Sequence, residues 1–325
     1  MTGIVRLLRS GREFPVEPSE TLLEGALRAG IYLNYGCSNG SCGDCKARLI
    51  DGELGVSDPH DFPLGESVRA EGWFLPCRTH ASRDLVIDAQ EAGQAADIPR
   101  QQLSTKVTRL ERHSDNILIL HLRTPRSRTL RFLAGQRIRL TLPGGVWHAL
   151  PIASCPCNGL VLQFHLFRDP DSGFSRTVFE DLRNGDAVAL DGPFGEFTLD
   201  DDAQRPQVFL TYEAAFATTK SLLEHAISLD TDRPRRLIWL ARSGDCHYLA
   251  NLGRSWADSL DDFGFTPLIV NADDWASGIA AVNAELASLP ESDVYISGPR
   301  GLLDLAAQRI TAGNVLHLDQ PDQPD

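Results

Sequence analysis

Three cysteines, Cys37, Cys42 and Cys45, stand in the spacing C-x4-C-x2-C, and a fourth, Cys77, follows in Phe74-Leu75-Pro76-Cys77. Three thiolates in one tight loop and a fourth from a distant segment can close around two bridged irons, and this spacing is that of a [2Fe–2S] centre. Gly36, Gly40 and Gly43 punctuate the loop. A loop that wraps a cluster needs positive-φ positions, which glycine takes without strain. It also needs backbone N–H groups near sulfur, because such hydrogen bonds tune the potential. Two other uses of four cysteines fit less well. Zinc sites favour paired C-x2-C knuckles, and Cys77 has no such partner. Disulfides call for an oxidising compartment, of which the sequence gives no sign.

The elements around this loop read as a ferredoxin-like β-grasp. Residues 3–9 alternate as a strand and Gly11-Arg12 turns into a second. Thr21–Gly30 reads as a short amphipathic helix ended by glycine. Lys46–Ile50 returns as a strand into an Asp51-Gly52 turn, and residues 73–89 carry the last cysteine and a strand at Leu85–Asp88. This first domain spans residues 1–91, and a small, polar, proline-containing linker occupies 92–102. Residues 103–202 hold several short strands at the spacing of an antiparallel β-barrel, interrupted by one helix from Ser175 to Leu182. In residues 203–325 the period changes. Apolar strands at 207–211, 237–241, 265–270 and 293–298 alternate with helices at 214–228, 247–260, 276–288 and 299–311. That is the pattern of a Rossmann-like parallel α/β sheet. The QPDQPD tail reads as disordered. The fold class is therefore α+β and α/β multidomain.

The formal charge of −13 is unevenly spread: −5 over residues 1–95, +2 over 96–200 and −10 over 201–325. Phosphate backbones need basic surface, so no nucleic-acid partner is expected. An acidic surface suits steering onto a basic redox partner, and equally suits solubility alone. No apolar run is long enough for a membrane span. The N-terminal MTGIVRLLRSGREF has charges where a secretory signal needs an apolar core, so the expected compartment is the cytoplasm.

Taken together, the order of segments resembles the bacterial reductases that feed oxygenases and CDP-6-deoxy-glucoseen reductases. Asn184-Gly185-Asp186-Ala187-Val188-Ala189-Leu190-Asp191-Gly192-Pro193-Phe194-Gly195-Glu196-Phe197 is similar to that family's barrel motif. Gly173-Phe174-Ser175 resembles its pyrophosphate segment. The resemblance implies NAD(P)H, FAD and a [2Fe–2S] cluster in series, but its motifs survive unequally. Where the family has Arg-x-Tyr-Ser, this chain has His148-Ala149-Leu150-Pro151, followed by Ile152. His148 is a poor substitute for a fixed cation. Leu150 offers no aromatic stack, and Pro151 removes a hydroxyl and an N–H. FAD is left open as a cofactor, held weakly by His148, Leu150, Pro151, Ile152 and Ser175. In the nicotinamide motif the flanks Phe209-Leu210 and Lys220-Ser221-Leu222-Leu223-Glu224-His225-Ala226 match. The family's glycines fall on Tyr212, Glu213 and Ala215, so NAD(P)H is not expected to bind. Ser297-Gly298-Pro299 stands for the family's Cys-Gly-Pro, and no C-terminal aromatic is present.

The leading expectation is one-electron transfer through a cluster on Cys37, Cys42, Cys45 and Cys77, to or from a redox protein partner. In this reading the nicotinamide site of a reductase ancestor is lost. A working NADH-dependent FAD/[2Fe–2S] reductase for an oxygenase-like partner is the alternative, and a scaffold with two docking domains is a third. Cys155-Pro156-Cys157 reads as two turn or core cysteines, with a redox pair or an extra metal site as the sharper options. Cys246 receives no role.

Overall fold

The computed structural model describes residues 3–91, 95–125, 129–271, 274–310 and 313–319. Part of the expected linker, 92–94, and the 320–325 tail lie outside them. Three sheets carry the chain.

The first comprises β1 (Gly3–Leu7), β2 (Glu13–Val16), β3 (Ala47–Ser57), β4 (Trp73–Phe74) and β5 (Thr79–Asp88) in the order β2-β1-β5-β3-β4. β1 and β5 run parallel, and the other pairs antiparallel. Helix α1 (Leu22–Arg28) covers one face with Leu22, Leu23 and Ala26. It starts where the sequence suggests, on a reciprocal cap. Thr21 Oγ1 accepts the Glu24 N–H at 3.2 Å and the Glu24 carboxylate accepts the Thr21 N–H at 2.7 Å, so two orphan donors are satisfied at once. A short helix, α2 (Glu66–Ala70), precedes β4. The Asp51-Gly52 turn is not formed. β3 runs on to Ser57, shifting register against β5 at three places. The long partner strand supplies ladder hydrogen bonds that local turn preference does not outweigh, and the irregularity is absorbed as bulges.

The second sheet is antiparallel and curled, in the order β10-β7-β6-β11-β8-β9. Its strands are β6 (Gln101–Ser114), β7 (Ile117–Arg123), β8 (Arg137–Thr141), β9 (Trp147–Pro151), β10 (Val161–Phe167) and β11 (Ala187–Phe194). It closes on Leu118, Leu120, Phe132, Ile138, Phe164 and Phe179. The lone helix differs from expectation. α3 spans Gly173–Arg176 and continues as a π turn over Thr177–Asp181. Its cap is Ser172, whose side chain accepts the Ser175 N–H at 3.2 Å. Ser175 lies inside the helix, one turn later than a cap.

The third sheet is parallel throughout, in the order β14-β13-β12-β15-β16. It alternates β12 (Gln207–Tyr212), α4 (Phe216–Ser228), β13 (Arg235–Ala241), α5 (Ala250–Ser259), β14 (Phe263–Ile269), α6 (Ala276–Leu286), β15 (Asp293–Ser297), α7 (Arg300–Arg309) and β16 (Val315–Leu318). The central strands read as continuous apolar runs because both faces are covered. The four-residue edge strand β16 was not anticipated from sequence, being too short to show a period. Among the described residues no helix is long and apolar enough to cross a membrane.

The three sheets are joined by polar contacts that set the relative positions of loop and pocket. Thr129 donates its N–H and Oγ1 to Gly36 O at 3.3 and 3.0 Å, and Arg131 pairs with Asn34. Tyr32 Oη meets His225 Nε2 at 2.9 Å, and that ring meets Asp201 at 3.0 Å. Helix α4 is wedged against the second sheet. Lys220 Nζ donates to Ala153 O and Gln163 Oε1, and Ser221 Oγ donates to Ser154 O.

Candidate functional site

The cysteine loop follows α1 and is sealed by Phe62, His60 and the Cys77 turn. Cys37, Cys45 and Cys77 are buried to within 4% exposure, and Cys42 is half-buried. The sulfurs fall into two pairs. In the first, Cys37 Sγ accepts the N–H groups of Ser41 and Cys42 at 3.2 and 3.3 Å. Cys42 Sγ accepts those of Cys37 and Asp44 at 3.3 and 3.4 Å. In the second, Cys45 Sγ and Cys77 Sγ are 3.3 Å apart. Burial pushes the Cys37 thiol up, but hydrogen bonds from Ser41, Asn39 and Cys42 outweigh it and bring it down to about 6. In the second pair the shared hydrogen bond raises Cys45 and lowers Cys77.

Glycine is required here by contact as well as by φ. Gly43, at φ +77, has no room for a Cβ, which would collide with the Phe62 ring. At Gly40, φ +80, a Cβ would lie 2.5 Å from His60 Cβ and 2.6 Å from Arg78 Cγ. Four sulfurs in two pairs, three of them buried and with backbone donors aimed at sulfur, fit a two-iron cluster. They do not converge as a mononuclear site would. Among the described residues no three His, Cys, Asp or Glu side chains gather around a single point that could hold an ion.

The second candidate is a cavity of about 310 Å³ between the curled sheet and the parallel one. It gathers His148, Leu150, Pro151 and Ser175 from the sequence-derived set, together with Arg137, Phe174, Thr218, Gly298 and Asp319. Ile152 is not in the wall. It is fully buried, and its N–H is spent on Gln136 O at 3.1 Å. The Ser175 hydroxyl accepts the Asp169 N–H at 2.9 Å. His148 packs its ring 5.4 Å from Phe174. His148 is exposed as a residue, but partial desolvation of its ring, then the nearby Arg137, push its pKa below the ordinary histidine value, so the neutral form dominates at pH 7. Arg137 is the cation in the wall, but it pairs with Asp319 at 3.2 Å, and Asp319 also accepts from Thr218 Oγ1 at 3.3 Å. The pair joins positions 182 residues apart, which no local pattern reveals. Arg137 is held by Asp319, and Leu150 stands where the resembled motif has its aromatic; the rings in the wall include Phe167, Phe174 and His148, so the set fits a dinucleotide flavin only in part.

The third feature is the crevice at the C-terminal ends of the parallel strands, where the sheet order reverses between β12 and β15. Open α/β sheets bind nucleotides at such a point. Tyr212 ends β12 there and packs edge-on against Trp275, ring centroids 4.6 Å apart. A Cβ on Gly298 would meet Tyr212 Cβ at 3.3 Å. Glu213, by contrast, turns into the protein at φ +43 and is 6% exposed. Cys246 lies beside Ser243 Oγ at 3.5 Å and also contacts the Glu213 side chain.

Comparison with known proteins adds the following. Residues 5–82 match the 2Fe-2S iron-sulfur cluster binding domain family. The chain is 30% identical over 318 residues to the reductase component of propane 2-monooxygenase from Mycolicibacterium goodii, spanning 93% of this chain and 91% of that one. It is 29% identical over 308 residues to the CDP-6-deoxy-L-threo-D-glycero-4-hexulose-3-dehydrase reductase of Yersinia pestis, spanning 93% and 92%. An Amycolatopsis cytochrome P450 reductase shares the fold, with a TM-score of 0.61 at 24% identity over 99% of this chain and 100% of that one.

Proposed function

Because the chain belongs to the family of the propane monooxygenase and CDP-6-deoxyhexulose dehydrase reductase components, we propose that it is an electron-transfer component working through a [2Fe–2S] cluster on Cys37, Cys42, Cys45 and Cys77. The observation that carries this reading is the gathering of four sulfurs in two pairs beneath backbone donors. When bound, the cluster supplies a one-electron couple, for plant-type centres near about −400 mV. The protein's part is to hold charge on sulfur. The N–H groups of Ser41, Cys42, Cys37 and Asp44 do so for the first pair, while Phe62 packs against the loop at Gly43. Residues 1–91 form the cluster domain, 92–102 the connection, 103–202 the flavin-type barrel and 203–325 the nucleotide-type domain. The partner is a redox protein, oxygenase-like or another acceptor or donor.

In this reading the nicotinamide site is lost. Tyr212 and Trp275 stand where a pyrophosphate would need open backbone. A second reading, a working NADH-dependent FAD/[2Fe–2S] reductase, is favoured by the cavity at His148, Leu150 and Pro151 and by the inward turn of Glu213. Iron and labile-sulfide analysis tests the first claim, with dithionite reduction expected to give the EPR signal of one reduced centre per chain. Zinc without sulfide would end it. Anaerobic mixing with NADH, then NADPH, separates the two readings. Unchanged cluster absorbance supports loss of the site, and bleaching within seconds supports the working reductase.

A further inference from the structure

The Cys155-Pro156-Cys157 turn belongs neither to the metal loop nor to the cavity wall. Its two sulfurs are bonded to each other, between α-carbons 5.3 Å apart. A bridge across one intervening residue closes so short a loop that it removes little freedom from the unfolded chain. As a stabilising device it is close to the weakest a disulfide can be, which directs attention to its reactivity.

The two sulfurs are unequal. Cys157 is exposed, whereas Cys155 is 8% exposed. Cys155 opens a short helical turn with Pro156 behind it, and its Sγ accepts the Cys157 N–H at 3.3 Å. That donor stabilises a thiolate on Cys155 and so makes it the better leaving group. Glu224 opposes this, since it accepts the Cys155 N–H at 3.2 Å. Its charge is answered by Lys220 at 2.5 Å. The same turn leads into Gly159, whose carbonyl accepts from Leu130 N–H and Thr124 Oγ1 at 3.2 and 3.0 Å. Next to Leu130, Thr129 holds Gly36 O beside Cys37. The bonded pair therefore sits one hydrogen bond, Leu130 N–H to Gly159 O, from the segment that braces the cysteine loop.

We infer that Cys155–Cys157 is a thiol–disulfide exchange site whose co-substrate is an external dithiol. A thiolate of that dithiol attacks the exposed Cys157 Sγ. The bond to Cys155 breaks, and Cys155 leaves as a thiolate and takes up a proton. The second thiol of the external pair then attacks the mixed disulfide and frees Cys157 as a thiol. Two electrons pass to the protein pair, the external dithiol departs as a disulfide, and its two protons end on Cys155 and Cys157.

Native alkylation of the full-length protein, cluster in place, tests this. Iodoacetamide is added with and without dithiothreitol at a level that leaves the cluster absorbance unchanged, and peptide masses are read. The expected result is an unlabelled, bonded pair before reduction and two labelled cysteines after it. Cys157 should react roughly tenfold or more faster than Cys155, and oxidised glutathione should restore the bond. Labelling of both cysteines without reductant, or a bond that survives dithiothreitol in the folded protein, would overturn the inference. Single variants treated with oxidised glutathione give a separate check. Cys155→Ser should carry glutathione on Cys157, and Cys157→Ser should carry none on the buried Cys155. The opposite asymmetry would overturn the assigned roles.

Discussion

Arg242 holds Glu213 by three hydrogen bonds: Nε to Oε1 at 2.8 Å, Nη2 to Oε2 at 3.0 Å, and main-chain N–H to Oε1 at 3.1 Å. The carboxylate stands on a residue that replaces a glycine of the resembled nucleotide motif. In sequence it reads as a bare negative charge beside a pyrophosphate. In the structure it is paired with Arg242 and faces inward, so the side chains that flank the crevice are Tyr212 and Trp275.

Arg242→Ala should strip two of the three donors from that carboxylate and leave the main-chain N–H. Losing the side-chain donors of a buried acceptor costs about 1–3 kcal/mol. The Coulomb share of the pair itself is small, because Arg242 is 60% exposed. The sign of the pH dependence follows from the carboxyl. Burial raises its pKa, but the hydrogen bonds from Arg242 more than reverse this and leave it below the ordinary value. The stabilisation is therefore present above the unfolded glutamate pKa, about 4.3, and fades as pH falls through the lower folded value. Urea melts at pH 7 and at progressively acid pH should show the gap between wild type and variant closing on the acid side.

The cysteine loop is legible in sequence as a candidate metal site because its chemistry is local. Three of its cysteines and their glycines lie within Gly36–Cys45, and the spacing alone constrains what they can hold. The parallel sheet is legible too, since buried strands such as Gln207–Tyr212 and Arg235–Ala241 carry unbroken apolar runs at Val208–Leu210 and Leu237–Ala241. What stayed hidden was tertiary. Arg242 is 29 residues from Glu213, and Arg137 meets Asp319 across two sheets. The Ser175 cap was misplaced by three residues because Ser172 and Ser175 both precede helical φ/ψ, and only the hydrogen bond between them decides which one caps. Asp51-Gly52 carries turn chemistry that its partner strand overrides.

Arg78 is expected to raise the potential of the metal centre. It follows Cys77, lays its stem across Gly40 and turns its Nη2 to Asp58 at 3.3 Å, while its Nε is buried with no protein partner. A positive charge nearby favours the added electron. A unit charge about 8 Å away is worth about 2 kcal/mol at an effective dielectric near 20, and Asp58 cancels part of that. Arg78→Gln should lower the midpoint potential by roughly 30–60 mV, a tenfold change in a one-electron couple being about 59 mV. Asp58→Asn should move it the other way. Potentiometric titration followed by EPR reads both, and a shift of the same sign in the two variants would contradict the assignment.

Gly43→Ala and Gly11→Ala separate strain from collision. Both glycines have positive φ, +77 and +71. A Cβ on Gly11 meets nothing within 4 Å, whereas on Gly43 it would enter the Phe62 ring. Gly11→Ala should cost only the backbone penalty, about 1–2 kcal/mol, with full iron content. Gly43→Ala should displace Phe62 or the loop, and purified protein should carry markedly less iron and sulfide. Equal iron content in the two variants would show that the loop yields more easily than its contacts imply.

Flavin affinity should be low and should rise as pH falls. The cavity offers FAD a neutral His148 in place of a fixed cation and Leu150 in place of an aromatic ring. The missing stack forfeits about 0.5–1.5 kcal/mol and the missing charge-assisted contact roughly 1.5–3 kcal/mol. At about 1.4 kcal/mol per tenfold, these amount to roughly one and a half to three decades if they add. Protonation of His148 returns a cation to the wall. Its pKa is pushed below the histidine value by burial and by Arg137, so the gain appears only below about pH 6.5. His148→Arg should supply that cation at every pH, tighten FAD at least about tenfold at pH 7 and flatten the pH dependence. Fluorescence titration of FAD from pH 5.5 to 8 measures both. Tight, pH-independent binding by the unaltered protein would mean that Arg137 leaves Asp319 to meet the ligand. Asp319→Asn would then bind no more weakly than wild type, since it frees the same guanidinium.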